Sequence, residues 1–179
     1  SGKAAFAAQR LVPVPVDAEG LDVSAGQRRA PEARAAYVTP AHQFPLGVAM
    51  TMRRRLALLE WAAKAGSWVI EDDYDSEFRY AGAPLASLQG MDAKGRVIHV
   101  GTFSKSLMPG LRMGWLVLPE ALIDPVLALR LRVDRAPSGV LEPAMAEFLS
   151  GGGFAAHLRR ARRRCRAARD ALVAELALA

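Results

Sequence analysis

The 179-residue chain has four lysines, and one of them has neighbours suited to covalent chemistry. Lys3 lies at the terminus, Lys64 at an exposed helix end, and Lys94 in the turn-like stretch Asp92–Gly95. Lys105 instead follows a buried apolar strand, in the run Gly101-Thr102-Phe103-Ser104-Lys105-Ser106. An amine held there, partly desolvated and near other cations, is placed to act as a Schiff-base nucleophile. On position alone a structural lysine is the plain alternative; the neighbours favour a functional one. Thr102, Ser104, Ser106 and Arg112 put hydroxyls and a guanidinium within one loop, a set suited to a phosphate dianion. A second polar cluster, Glu71-Asp72-Asp73-Tyr74-Asp75, offers carboxylates and a phenol. Those carboxylates would also suit a metal, but no histidine is near in sequence, and His42 and His99 lack ligand spacing.

These clusters need elements to hold them. Thr51 reads as the N-cap of a helix over Met52–Ala65, with Met52, Leu56, Leu59 and Ala63 as its buried stripe and Gly66 as its stop. Trp68–Glu71, Val97–Gly101 and Met113–Leu118 read as short buried strands, and Ala36–Thr39 as a shorter β-prone run before the loop Pro40–Gly47. Helices are expected over Glu120–Arg135, Leu141–Leu149 and Phe154–Leu176, with Pro125 either in the first turn of the first helix or breaking that helix. Residues 1–36 show weak periodicity, with a possible strand at Val12–Val16 and a turn at Asp17–Gly20. Apolar strands alternating with amphipathic helices imply an α/β layered architecture with a largely parallel sheet. Sites in such sheets form at the carboxyl ends of strands, which is where both polar clusters fall.

Composition sets the outer limits. Hydrophobic residues make up 51% of the chain, enough to bury a core, and no apolar run approaches a membrane span. The single cysteine, Cys165, has no internal disulfide partner, which suits a reducing cytoplasm. Net charge is +6, and seven arginines from Arg159 to Arg169 crowd the last helix. Leu158, Ala161, Cys165, Ala168 and Leu172 form an apolar stripe between them, so the expectation is a helix packed on its own domain rather than a DNA-reading element.

The segment from Gly101 to Gly114, Gly-Thr-Phe-Ser-Lys-Ser-Leu-Met-Pro-Gly-Leu-Arg-Met-Gly, resembles the lysine segment of fold-type-I pyridoxal-phosphate enzymes. With Val69–Tyr80 and Tyr37–Gly47, it resembles the MocR-like branch of the GntR regulators, whose effector domain is an aminotransferase relative. The resemblance runs from about Leu21 to Leu176. It implies a three-layer α/β fold with a mostly parallel sheet, residues 1–150 being the later part of the large domain and 151–179 the helix leading into a small domain. It further implies that pyridoxal 5'-phosphate is held as a Schiff base on Lys105, with Asp72 paired to the pyridine nitrogen and Tyr74 bonded to the ring's phenolic oxygen. Thr102, Ser104 and Arg112 would hold the phosphate. The implied partners are a second subunit, an amino acid or amine effector, and DNA through a winged-helix domain that precedes this region.

One departure stands out. Aminotransferases of this fold often carry Asn-Pro-Thr-Gly where this chain has Phe44-Pro45-Leu46-Gly47, and Phe44 cannot donate the asparagine's bond to the ring oxygen. His42 or Gln43 are the local candidates to replace it. The winged helix, the first half of the large domain and most of the small domain are expected to be absent from these 179 residues. Two functions share the Lys105 chemistry: a cofactor-binding regulator, which the Asp72–Tyr80 segment favours, and an aminotransferase acting on an amino acid or amine.

Overall fold

The computed structural model describes residues 10–80, 85–133 and 139–177. The chain divides into two compact units, Ser1–Asp73 with Ala86–Val100 and Tyr74–Leu85 with Gly101–Ala179. The expected terminal position of Lys3 and the expected helix end at Arg135 lie outside the described residues.

The first unit opens with a small hairpin, β1 (Val16–Asp17) against β2 (Gly20–Leu21), turning at Gly20 with φ 98°. The strand expected over Val12–Val16 shrinks to its last residue, because Pro13 and Pro15 have no N–H to give a ladder. Helix α1 (Val23–Arg29) was not foreseen; it has no apolar repeat, and Gly26 interrupts it. Its signal was the cap: the Asp22 carboxylate accepts the Ala25 N–H at 3.0 Å.

Strand β3 (Ala35–Val38) runs parallel to β4 (Trp68–Asp73), joined by helix α2 (Met52–Ala65) as the crossover such pairing requires. Strand β5 (Val97–Thr102) lies on the other side of β4, after the short helix α3 (Leu88–Met91). Val38, Leu58, Val69, Leu88 and Val97 meet in the core between sheet and helices. The boundaries of α2 are those read from the sequence, with Thr51 capping and Gly66 at φ 64°. Its buried face is not. Arg54, Arg55, Leu58 and Ala62 face inward, whereas Met52 and Leu56 are exposed. Hydrophobicity hid this face because two of its members are arginines with every charge answered. Arg54 pairs with Asp17 at 2.6 Å and Asp22 at 3.0 Å. Arg55, 1% exposed, donates to the carbonyls of Met50, Pro40 and Ala86 at 2.9, 2.7 and 2.9 Å.

The second unit carries helix α4 (Phe103–Ser106), a 3-10 turn at Pro109–Leu111, strand β6 (Gly114–Val117), and helices α5 (Glu120–Val133), α6 (Leu141–Ser150) and α7 (Gly153–Leu176). Pro125 lies inside α5 without breaking it. The last two residues of β5 belong to this unit and lie against β6. A Cβ on Gly101 would stand 2.1 Å from the Trp115 ring, and one on Gly114 would stand 2.6 Å from the Gly101 carbonyl. The stripe expected to be buried along α7 is half-buried only at Leu158 and Ala161. Cys165, Ala168 and Leu172 are exposed: among the described residues, burial of this stripe is confined to the first half of the helix. Among the described residues no helix is long and apolar enough to cross a membrane.

Replacing Arg55 with methionine removes the guanidinium bonds to the Met50, Pro40 and Ala86 carbonyls, of which only Pro40's keeps a second donor, the Met50 N–H, among the bonds described. Stability is expected to fall by about 3 kcal/mol or more, measured as a lower urea midpoint at unchanged slope.

Candidate functional site

Strand alternation decides which way the acidic cluster points. In β4, Val69 and Glu71 face inward and Ile70 and Asp72 face the other side. Glu71 is 2% exposed, and its carboxylate accepts the N–H groups of Leu88 at 2.7 Å and Gln89 at 3.0 Å and contacts His99 Nδ1 at 3.1 Å. Burial pushes the Glu71 pKa up, but the bonds from His99, Gln89 and Leu88 prevail and hold it below its ordinary 4.5. The bond to Glu71 lifts His99 above its ordinary 6.5 against its own burial, with the charges of Glu71, Asp73 and Asp72 adding to the effect. Sequence spacing passed over this pair; adjacency of β4 and β5 brings together residues 28 positions apart. No group of three or more His, Cys, Asp or Glu able to hold a metal occurs among the described residues.

Asp72, on the opposite face, meets a tyrosine of the adjacent strand. The Tyr37 hydroxyl, on the neighbouring strand β3, donates to Asp72 Oδ2. No other hydrogen bond to the Asp72 carboxylate is found among the described residues. Beyond β3, the loop that carries Phe44 is stitched to itself. Gln43 gives its amide to the Phe44 carbonyl at 2.5 Å and accepts from the Leu46 N–H at 3.0 Å, so its side chain is occupied locally. Phe44 is 74% exposed.

The second unit holds the other candidates. Tyr74 follows β4 directly, half-buried, ahead of the 3-10 turn Ser76–Phe78. Thr102 ends β5 and caps α4: its hydroxyl accepts the Ser104 N–H at 3.1 Å and donates to the Met113 carbonyl at 3.4 Å. Its oxygen therefore shapes the turn before it can serve a ligand. Lys105 stands on that turn and is exposed, not partly desolvated as expected, because among the described residues of its unit nothing packs over it. Lys64, by contrast, pairs with Glu60 at 2.7 Å. Ser104 is half-buried, whereas Ser106 is sealed in at 2% exposure, its hydroxyl without a partner among the described residues, and so falls outside the expected phosphate set. Arg112 is exposed and has φ 51°, the one positive φ of a non-glycine residue among those described. Such a conformation is unusual for a side chain of this size.

The profile of aminotransferase classes I and II matches residues 4–179, and the chain belongs to that family. Within it, the chain is 45% identical over 157 residues to the probable rhizopine catabolism regulatory protein MocR of Rhizobium meliloti, covering 88% of this chain and 31% of that protein. It is 44% identical over 135 residues to the HTH-type transcriptional regulator TauR of Rhodobacter capsulatus, covering 75% and 28%. The fold matches the crystal structure of Pyrococcus horikoshii kynurenine aminotransferase in complex with PMP, with a TM-score of 0.85 at 32% identity over 92% of this chain and 43% of that one. The α/β fold with a mostly parallel sheet is thus that of part of a fold-type-I domain, and the chain spans about a third of the length of the regulators it matches.

The buried pair gives a pH dependence. His99, raised on folding, contributes stability in full below 6.5 and loses it as pH climbs through its raised value; Glu71, lowered, contributes in full above 4.5 and loses it as pH falls through its lowered value. The charge-dependent contribution of the pair is greatest between those two values. A His99→Gln variant should therefore fall furthest behind the wild type in denaturation experiments at about pH 5.5, with the gap narrowing toward about pH 9.

Proposed function

We propose that this chain is the central part of the effector domain of a MocR-like transcription regulator, which binds pyridoxal 5'-phosphate through a Schiff base on Lys105. The observation that carries the reading is the Lys105 turn: an exposed amine one turn beyond the carboxyl end of β5, with the exposed Arg112 cation in the same unit. The residues present suit the cofactor. Lys105 would hold the cofactor covalently through its amine. The carboxylate of Asp72, one oxygen held by Tyr37, is an acceptor for a protonated ring nitrogen, and Tyr74 is a donor for the phenolic oxygen. Arg112 supplies the charge for the phosphate, with Ser104 and the Thr102-capped turn beside it in sequence.

When bound, the cofactor supplies an electron sink for carbanions at the amine carbon. The protein's part is to hold the ring, keep a negative charge at its nitrogen, and present or withdraw the Lys105 amine. Residues 1–150 are assigned to the large domain and 151–179 to the helix leading toward a small domain. The whole protein is assigned to the cytoplasm as a homodimer that answers to an amino acid or amine. DNA recognition is assigned to the helix-turn-helix region named in the regulators it resembles. A second reading, an aminotransferase acting on an amino acid or amine, is favoured by the fold match to an aminotransferase at 32% identity. Turnover of an amino donor and a keto acid separates the two.

The complete protein carrying this sequence should take up pyridoxal phosphate and, after borohydride reduction, carry it on the peptide that contains Lys105. A Lys105→Ala protein that still gives a reducible adduct would rule the assignment out. Asp72→Asn should weaken cofactor binding by about tenfold or less but slow amine exchange by roughly a hundredfold or more, measured as single-turnover half-reactions.

A further inference from the structure

The arginine-rich helix is not simply solvated. The first half of α7 touches, by separate side chains, both segments of the second unit that carry candidate cofactor residues. At its start, Phe154 meets Phe103 edge-on, with ring centroids 5.7 Å apart, and Phe103 is the first residue of α4. One turn on, His157 Nε2 lies 2.9 Å from the Ser106 carbonyl, the residue after Lys105; a carbonyl only accepts, so the imidazole carries its proton on Nε2. Further along, Arg162 donates through one guanidinium nitrogen to the Glu77 carbonyl and through another to the Arg79 carbonyl at 3.0 Å. Those carbonyls belong to the segment that follows Tyr74. Arg162, Arg166 and Arg169 also surround the Tyr80 ring at 5.9, 5.4 and 5.0 Å from its centroid.

We infer that α7 is a latch: His157 and Arg162 are positioning residues that tie the Lys105 turn and the Tyr74 segment to one rigid helix, so that a shift of the helix moves both. The physical argument is the spacing. Residues 154, 157 and 162 lie within two to three turns of one helix, a span of about 12 Å, and a helix of that length transmits displacement rather than absorbing it. The bonds are also of a kind that is lost together. Both of Arg162's acceptors are backbone carbonyls in one short stretch, so its planar fork fixes the orientation of that stretch and not merely its distance. An effector that moves the helix would thereby change how Lys105 and Tyr74 are presented. That consequence rests on the cofactor reading above, whereas the mechanical coupling does not.

The test measures amide exchange in the complete protein carrying this sequence, first without added cofactor, for Arg162→Met, His157→Phe, His157→Gln and Arg166→Gln. A latch predicts cross-effects. Arg162→Met should speed exchange about tenfold in residues 103–107 as well as in residues 76–80, and His157→Phe should do the same to residues 76–80. His157→Gln, which keeps an N–H donor, should restore most of the protection, and Arg166→Gln, at a residue that meets the Tyr80 ring and bonds neither backbone segment among the described residues, should change neither. Strand β4, at residues 68–71, should stay protected throughout, marking the variants as folded. Cofactor is then added: the two latch-breaking variants should bind pyridoxal phosphate about tenfold more weakly and shift the pH titration of its absorbance band. If each substitution loosens only its own segment, the latch is wrong. If the cross-effects occur but affinity and titration are unchanged, α7 is structural only and its proposed influence on the cofactor site is overturned. If the wild type takes up no reducible cofactor, the functional reading falls, while the cross-effects still decide the latch.

Discussion

A buried carboxylate fixes the geometry of the first unit's polar edge. Glu71 cannot leave the interior without stranding two backbone N–H groups of α3 and the imidazole of His99. Because side chains alternate along a strand, anchoring Glu71 inside obliges Asp72 to face the other side of the sheet, where Tyr37 meets it from β3. A one-residue slip of β4 would bury Asp72 and expel Glu71. The same anchor joins β4, β5 and α3, so the orientation of Asp72 is set by core packing and not by its own contacts alone.

The second unit meets a different constraint, the close approach of backbones. Gly101 and Gly114 let the end of β5 and β6 lie so near each other that a methyl group on either would collide with the neighbouring strand. Thr102 then closes the turn through the Ser104 N–H and the Met113 carbonyl, and Lys105 is presented from that turn. The turn is only four residues long, too short to be stable by itself, and its rigidity comes from Phe103 packed between Trp115 and Phe154. The placement of the Lys105 side chain is thus a property of two glycines, one cap and an aromatic cluster.

Much of this was legible in the sequence, and what was not has physical reasons. Helix α2 declared its ends through Thr51 and Gly66, because caps are local chemistry. The face it buries was misread, because Arg54 and Arg55 enter the interior only by virtue of partners distant in sequence, at Asp17, Pro40 and Ala86. The short strands were found from apolar runs, but β4 continues through Asp72 and Asp73, where polarity argued for a loop. Lys105, Asp72, Tyr74 and Arg112 stood out by type and position beside strand ends. Tyr37, His99 and His157 did not, since each acts through a contact 28 or more residues away. The α7 stripe failed in its second half for the converse reason: periodicity shows that a face is apolar, not that anything covers it.

The proposed function requires Lys105, Asp72 and Arg112 to serve one bound molecule. A crystal structure of the complete protein grown with pyridoxal phosphate tests this most directly. The expected result is electron density continuous with Lys105 Nζ, the ring nitrogen within hydrogen-bond distance of the Asp72 oxygen not held by Tyr37, and the phosphate against Arg112. Cofactor bound elsewhere, or a Lys105 amine left free in solvent while Asp72 and Arg112 face different groups, would contradict it.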